Sequence, residues 1–105
     1  MKISVIIPIY NAGKFIRKCL ESVVNQMFTD FEVICIDDGS TDESSSILSE
    51  YASRYKNITV VQQKNMGQGP TRNRGVSLAV GKYIKFVDAD DYLHLDACLL
   101  YTSDA

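Results

Sequence analysis

Unbroken apolar runs alternate with helix-like spacing along the first half of the chain. Residues Ile3 to Tyr10 (ISVIIPIY) form a near-continuous β-branched run, typical of a parallel strand covered on both faces, and we expect it to end near Pro8. FEVICIDD repeats this pattern. Between the two, from Ala12 onward, apolar residues recur at helical spacing and predict a helix that packs on the sheet, forming a βαβ unit. Its predicted stripe is Phe15, Ile16, Cys19, Leu20, Val23 and Val24.

The second half of the chain continues the alternation. Ser40 and Glu43 have the spacing of a capping box, which predicts the start of a second helix. Its predicted stripe is Ile47, Leu48, Tyr51, Ala52 and Tyr55. NITVVQQ predicts a third strand, after which Gly67, Gly69 and Pro70 break the chain. A short third helix is predicted around Val76, Ala79 and Val80, closed by Gly81.

KYIKFVD predicts a fourth strand, so the order is β-α-β-α-β-α-β with no internal repeat. This order predicts a layered α/β fold with a mostly parallel sheet.

Composition narrows the class of protein. The 105 residues suit one domain or part of one, and 46% hydrophobic with 23% charged residues is typical of a globular protein. With 11 basic and 13 acidic residues, no footprint for a nucleic-acid backbone is visible. The first apolar run is too short for a signal segment or a membrane span, so we expect a cytoplasmic protein. Three cysteines without zinc or disulfide spacing suit a reducing compartment, with Cys19 and Cys35 as core thiols.

Polar side chains follow three of the predicted strands at the point where each strand ends. They are Tyr10 and Asn11, then Asp37 to Ser40, then Asp88, Asp90 and Asp91. Each group alone also suits a turn or a helix cap. Because the carboxyl ends of parallel strands meet at one edge, together they would bring about five carboxylates to one rim. Like charges at close range require compensation, so we expect the rim to bind a cation or a ligand rich in hydrogen-bond donors.

No dinucleotide fingerprint follows the first strand, and no Walker loop occurs in the chain. The alternative is a divalent ion, Mg²⁺ or Mn²⁺, that bridges carboxylates and a diphosphate. In an extended chain Asp88 and Asp90 project to the same side, whereas Ala89 points away. Spacing alone leaves open which acid contacts the metal.

Four blocks, SVIIPIYN, VICIDDGSTD, NMGQGPTRNRG and GKYIKFVDADD, occur in an order and at spacings similar to those of the family 2 glycosyltransferases. The resemblance covers residues 2 to about 94. It implies a three-layer GT-A fold that binds a nucleoside-diphosphate sugar, with the donor-binding part in residues 1–97. The tail, residues 98–105, departs from the family pattern, as does Leu95, where relatives commonly have proline; we expect the tail not to be native family sequence.

The resemblance also implies roles for individual residues. Pro8, Tyr10 and Asn11 would line the base and ribose pocket, and Asp38, with Asp37 beside it, would accept a hydrogen bond from the base. Tyr10 as a core aromatic residue is the alternative.

Arg72 would lie near the diphosphate or ribose, in a block where Thr71 replaces the usual alanine; a solvated helix residue is its alternative. Asp88, Asp90 and Asp91 match the family's D-x-D element. One acid would contact the ribose and Asp90 would hold the metal, with a structural turn as the alternative.

The implied reaction transfers a sugar from a nucleoside-diphosphate donor, with UDP as the expected carrier, to a hydroxyl of a carbohydrate or lipid-linked acceptor. The configuration at the anomeric carbon would invert, and the metal would neutralise the leaving diphosphate. The expected location includes the inner face of the membrane, as suits polysaccharide biosynthesis.

The general base of this reaction is expected beyond Ala105, because family 2 enzymes supply it from a carboxylate in the second half of the domain. The catalytic residue itself is therefore unknown, and we do not expect full activity from these 105 residues alone. Gly67 and Gly69 would mark a loop free to approach the sugar donor, with plain turn geometry as the alternative. His94, the only histidine, would need a second catalytic group that the sequence does not identify, and an exposed or helix-start residue is its alternative.

Two other classes of protein remain open from the residues. A receiver-type signalling domain is also a doubly wound sheet with paired acids, but it needs an aspartate at the end of the third strand, where this chain has VVQQKN. A nucleotide-binding module without catalysis would keep the pocket and lack the base.

Overall fold

A parallel β-sheet lies between two layers of helices in the computed structural model, which describes residues 3–25 and 30–88. The elements are β1 (Ile3–Ile9), α1 (Gly13–Val24), β2 (Phe31–Asp38), α2 (Ser44–Arg54), β3 (Ile58–Gln63), α3 (Gln68–Leu78) and β4 (Tyr83–Phe86). The predicted element order and parallel sheet are confirmed.

The predicted domain boundary and the tail lie outside the described residues. The predicted boundary is residue 97, and the predicted tail runs from Cys98 to Ala105. Both stay predictions.

The strands of the described residues are ordered β3-β2-β1-β4, and each neighbouring pair is parallel. β1 and β2 are central, which explains their continuous apolar sequences, because a central strand has helices over both of its faces. Ile9 lies opposite Asp37, and Asp37 lies opposite Gln62. The carboxyl ends of β1, β2 and β3 therefore come together at one edge.

Alternate residues of the central strands serve the two helical layers. Val5, Ile7 and Ile9 belong to a core cluster with the buried residues of α1 and α2. Ile6, one position out of phase, contacts α3 on the opposite face. The three-layer arrangement follows from this period of two.

Helix α1 buries the predicted stripe at Ile16, Cys19, Leu20 and Val23. Phe15 is the exception, because its side chain is 49% exposed. It lies in the first turn of the helix, at the rim of the sheet.

The predicted capping box before α2 is wrong. The helix begins at Ser44, and its N-cap residue Glu43 makes no side-chain capping bond. The hydroxyl of Ser40 instead accepts a hydrogen bond from the backbone N–H of Asn11, at 3.0 Å. Asp42 accepts one from the backbone N–H of Ser44, at 2.9 Å.

The predicted stripe of α2 is largely confirmed. Ile47, Leu48 and Tyr51 are buried, and Ala52 and Tyr55 are partly buried against the same core cluster.

Helix α3 is longer than predicted and buries a different face, and its predicted end is wrong, because it stops at Leu78, before Ala79, Val80 and Gly81. It starts at Gln68 and so includes Gly69 and Pro70, since proline is tolerated in a first turn, where backbone N–H groups have no partner within the helix. Its buried residues are Thr71 and Gly75, whereas Val76 is exposed. Small residues face the sheet because α3 lies very close to β1.

The close approach of α3 to β1 predicts the effect of adding a methyl group at Gly75. A Cβ there would lie 2.4 Å from Cγ2 of Ile6, a fully buried side chain. We expect Gly75→Ala to lower the free energy of unfolding by about 1–2 kcal/mol, since overpacking outweighs the gain in helix propensity. Chemical denaturation measures this change.

Gly69→Ala is the matched control, because a Cβ at that position of the same helix meets no atom within 4 Å. We expect it to change the free energy of unfolding by less than about 0.5 kcal/mol, because the gain in helix propensity is offset by the clash of a Cβ with the ring of the following Pro70. Equal effects of the two substitutions would contradict the packing argument.

Candidate functional site

An open cleft of about 480 Å³ lies at the carboxyl edge of the sheet. Five residues predicted for the site line it, namely Pro8, Tyr10, Asn11, Asp38 and Asp88. Tyr10 is 55% exposed, so it is not a core aromatic residue. The structure thus brings together residues that follow three different strands.

The loop after β2 holds the loop after β1 through Asn11. Thr41 donates its backbone N–H to Oδ1 of Asn11 at 2.7 Å, and the backbone N–H of Asn11 donates to Ser40. Asn11 itself has a φ of 48°, a left-handed conformation that asparagine tolerates better than most residues. These bonds fix the direction in which the chain leaves β1, and therefore the position of Tyr10.

The first backbone N–H groups of α1 are occupied by side chains of the loop after β2. Ala12 donates to Oγ of Ser44 and Gly13 donates to Oδ2 of Asp42, each at 3.1 Å. Hydrogen bonds from Ser44 and Gly13 hold the pKa of Asp42 below its usual range. In dinucleotide-binding folds this helix end binds phosphate. Here the amides of Ala12 and Gly13 are already used, in agreement with the missing fingerprint.

Asp38 ties the loop after β2 to the loop after β3. Its Oδ1 accepts hydrogen bonds from Nε2 of Gln63 at 2.9 Å and from the backbone of Met66 at 2.7 Å, and its Oδ2 accepts one from the backbone of Gly67 at 3.1 Å. Burial raises the pKa of this carboxyl, but the hydrogen bonds outweigh burial, so its pKa lies below the ordinary value. The group is therefore an ionised acceptor at neutral pH.

Asp37 does not line the cleft. It is buried, and its two carboxylate oxygens accept hydrogen bonds from the backbone N–H of Ser40 at 3.0 Å and from the hydroxyl of Ser45 at 2.6 Å. Asp37 and Asp38 point to opposite faces of β2 because neighbouring strand residues alternate. The geometry gives Asp37 a structural task, holding the turn after β2, and its predicted place beside the base stays a prediction.

Arg72 lies beside the cleft and contacts one of its residues. Its Nη2 is 3.3 Å from Oδ1 of Asp88, and its guanidinium lies 5.7 Å from the ring centre of Phe86. The side chains of Arg72 and Asp88 are 40% and 49% exposed, so solvent screens this ion pair. The structure thus joins the block after β3 to Asp88, which follows β4.

The expected crowding of uncompensated carboxylates does not occur at Asp37 and Asp38, because each accepts hydrogen bonds from its own donors. Within residues 3–25 and 30–88 no three acidic, histidine or cysteine side chains form a group that could hold a metal ion. The half-exposed carboxylate of Asp88 is a suitable oxygen ligand, and it fits a metal site that takes one or two acids and completes its shell with phosphate oxygens.

The remaining predicted site residues fall outside the part of the chain that the structure describes. They are Asp90 and Asp91 of the D-x-D element, and also His94. Ala105, beyond which the general base is expected, lies outside that part as well. The metal ligand Asp90 and the base beyond Ala105 therefore stay predictions.

Several residues of the cleft were missed by the sequence reasoning, namely Ala12, Phe15, Asn65 and Gln68, whereas Gly67, expected in a loop near the sugar donor, does line it. Asn65 also donates its side-chain amide to the backbone carbonyl of Asp38, at 3.1 Å. The missed signal was the position of Asn65 to Gln68 directly after β3, because polar residues at the carboxyl end of that strand lie at the same edge as those after β2.

Cys19 and Cys35 are buried in the core, as predicted, and burial raises the pKa of the Cys35 thiol. The sequence in the described ranges forms no helix with the length and apolar character needed to cross a bilayer.

A three-layer α/β domain with a ligand cleft at the carboxyl edge of its sheet is the class that fold and site define. The chain belongs to the family described as Glycosyl transferase family 2, whose family model matches residues 4–100. This membership removes the receiver-type alternative.

Two relatives illustrate the match. The protein named Uncharacterized glycosyltransferase YibD, from Escherichia coli strain K12, is 50% identical over 93 residues, which are 89% of this chain and 27% of that protein. Poly(ribitol-phosphate) beta-glucosyltransferase from Bacillus spizizenii is 46% identical over an alignment of 103 residues that covers 94% of this chain and 16% of that protein. The chain thus spans about a quarter or less of the length of these relatives.

Solved structures agree with this assignment and share the GT-A fold. S. aureus TarS 1-349 in complex with UDP-GlcNAc has a TM-score of 0.88 and 39% identity, covering 94% of this chain and 29% of that one. Mannosyltransferase PcManGT from Pyrobaculum calidifontis, in complex with GDP-Man and Mn²⁺, has a TM-score of 0.86 and 25% identity, covering 92% of this chain and 30% of that one.

The hydrogen bonds of Asp38 predict a pH-dependent contribution to stability. Asparagine has one acceptor oxygen, so in Asp38→Asn the amide of Met66 or Gly67 must face an NH₂ group. We expect a loss of about 1–3 kcal/mol in the free energy of unfolding at pH 7. Because folding lowers the pKa of Asp38 below 3.8, this contribution is complete above that pH and is lost as the pH falls through the folded-state value.

Denaturation curves of both proteins between pH 2 and pH 7 measure this effect. Asp88→Asn is the control, since an exposed ion pair contributes about 1 kcal/mol or less. A difference between Asp38→Asn and the parent protein that stays constant with pH would contradict the assignment.

Proposed function

We propose that this chain forms the donor-binding part of an enzyme that transfers a sugar from a nucleoside diphosphate, UDP in the first instance, to an acceptor hydroxyl. The observation that carries the proposal is the cleft itself, which is lined from the carboxyl ends of three strands and the chain that follows them by Pro8, Tyr10, Asn11, Asp38 and Asp88. Its volume of about 480 Å³ lies within the range of small-molecule and cofactor pockets. The neighbours solved with UDP-GlcNAc and with GDP-Man support the ligand class.

The base is proposed to bind between Tyr10 and Asp38. An exposed aromatic ring at the rim offers a stacking surface that does not depend on the identity of the base. The ionised carboxylate of Asp38 can only accept hydrogen bonds, so it selects a base that presents an N–H group. Asp38 is already held by three donors, which keeps it oriented before any ligand arrives.

The diphosphate is proposed to bind on the side of Arg72 and Asp88, away from the start of α1. The amides of Ala12 and Gly13 are bonded to Ser44 and Asp42, so they cannot serve the phosphates. Arg72 offers a permanent positive charge there, with its Nη2 3.3 Å from Oδ1 of Asp88.

The metal is proposed to bind at the acids after β4. Asp90, with Asp88 or Asp91 at its side, would hold Mn²⁺ or Mg²⁺, and the neighbour with GDP-Man and Mn²⁺ supports a divalent ion. Carboxylate oxygens completed by phosphate oxygens are the usual ligands of such an ion.

In the proposed reaction the acceptor oxygen attacks the anomeric carbon from the face opposite the diphosphate, and the configuration inverts. A bound divalent ion would supply Lewis-acid stabilisation of the departing diphosphate. The residues of this chain bind and orient the donor, with Tyr10 and Asp38 at the base and Arg72 near the phosphates. The acceptor is a hydroxyl of a carbohydrate or lipid-linked molecule. Its binding site and the carboxylate that takes its proton are proposed to lie beyond Ala105.

Donor binding predicts a ligand-dependent rise in melting temperature. We expect UDP to raise it, and UDP with Mn²⁺ to raise it further, because a ligand at about one hundred times its Kd adds about 2.7 kcal/mol of stability. Asp90→Ala should remove the increment from Mn²⁺ and leave that from UDP alone. Differential scanning fluorimetry measures both increments.

The control is Asp30→Ala, an acid at the amino edge of the sheet, before β2. It should leave both increments unchanged. If neither UDP nor another nucleoside diphosphate stabilises the protein, the proposed function is wrong. Nucleotide binding without transfer of labelled sugar, measured with the protein at the length of its relatives, would favour a binding module.

The stacking role of Tyr10 predicts a separate change in affinity. Tyr10→Ala should weaken UDP binding by about 1–3 kcal/mol, whereas Tyr10→Phe keeps the ring and most of the affinity. Val80→Ala, a change at an exposed residue between α3 and β4, is the control. Calorimetric titration distinguishes these variants, and equal Kd values for alanine and tyrosine would exclude stacking.

A further inference from the structure

Thr71 is a buried polar residue behind Asp38, one of the residues that line the cleft. It is 1% exposed and lies on the face of α3 that packs against the sheet. Its hydroxyl donates to the carbonyl of Gly67 at 2.6 Å and accepts a hydrogen bond from Nε2 of Gln63 at 3.0 Å. A single oxygen thus connects the end of β3 with the loop before α3.

Both partners of Thr71 also hold Asp38. The same Nε2 of Gln63 donates to Oδ1 of Asp38 at 2.9 Å, and the backbone N–H of Gly67 donates to Oδ2 at 3.1 Å. The amide of Gln63 cannot turn over freely, because its Oε1 accepts a hydrogen bond from Nη1 of Arg74 at 3.0 Å. The hydroxyl therefore supports the donors on both oxygens of the carboxylate.

A recess of about 50 Å³ connects Thr71 with the site. Pro8, Ile9, Tyr10, Asp38, Gln68 and Thr71 line it. This volume is too small for a whole base and suits the edge of one. The orientation of the Asp38 carboxylate therefore determines which hydrogen-bonding pattern a base edge meets there.

We propose that Thr71 is a positioning residue that sets base selectivity by holding the donors of Asp38. The proposal rests on the proposed function, in which Asp38 accepts a hydrogen bond from the base. Uracil presents N3–H to an acceptor, whereas cytosine has a lone pair at that nitrogen. A fixed carboxylate prefers UDP to CDP, and a carboxylate with loosened donors can turn and loses part of this preference.

The test measures the Kd values of UDP and CDP by calorimetry for the parent protein and three variants. Thr71→Ala removes the hydroxyl and suits a helix. We expect it to lower the ratio of the two affinities about three- to tenfold, mainly through weaker UDP binding. Thr71→Ser keeps the hydroxyl and should restore the ratio to within about twofold of the parent value.

Ser77→Ala is the matched control, because the Ser77 hydroxyl also bonds a carbonyl of α3, that of Arg74, but lies on the exposed face. A lower melting temperature of Thr71→Ala with an unchanged UDP to CDP ratio would make Thr71 merely structural and overturn the inference, while the proposed function would stand. A parent protein without preference for UDP would overturn the inference as well. A parent protein that binds no nucleoside diphosphate would remove the proposed function, and the inference with it.

Discussion

The carboxylate of Asp38 is the interaction on which the geometry of the cleft depends. Two backbone N–H groups, of Met66 and Gly67, end on its oxygens, so one buried side chain satisfies donors that the loop after β3 cannot satisfy internally. Gly39 makes this contact possible. It has a φ of 78°, and a Cβ there would lie 2.8 Å from the backbone nitrogen of Asn65. The two loops can approach only because this position has no side chain.

The hydrophobic pattern predicted the four strands and the layered α/β class, because a central parallel strand is apolar throughout. It failed at α3. The face that packs on β1 consists of Thr71 and Gly75, and a pattern that counts large apolar residues selects Val76 instead, which is exposed. Close packing through small residues carries no hydrophobic signal, so the structure was needed to find it.

The ends of the strands correctly predicted residues of the cleft, because the carboxyl ends of parallel strands meet at one edge. A local motif, the capping box, gave a wrong prediction. Ser40 and Glu43 have capping-box spacing, yet Ser40 bonds Asn11 in the neighbouring loop. A tertiary donor was better placed than the helix amide, and sequence spacing does not contain that information. The sequence alone could have shown that Asp37 and Asp38 do not share one position in the site, because adjacent side chains of a strand point to opposite faces of the sheet.

The chain that follows β2 limits where a diphosphate could bind in the cleft. Asp42 and Ser44 accept the hydrogen bonds of the Gly13 and Ala12 amides at the start of α1, a helix end that related sheet topologies offer to phosphate. Under the proposed function the negative charge of the donor must then be met elsewhere. The remaining rim is that of Arg72 and Asp88, after β3 and β4, and a cation shared between carboxylate and phosphate is the economical solution there. The division of the proposed cleft into a base side and a phosphate side thus follows from the hydrogen bonds that Asp42 and Ser44 accept from the start of α1.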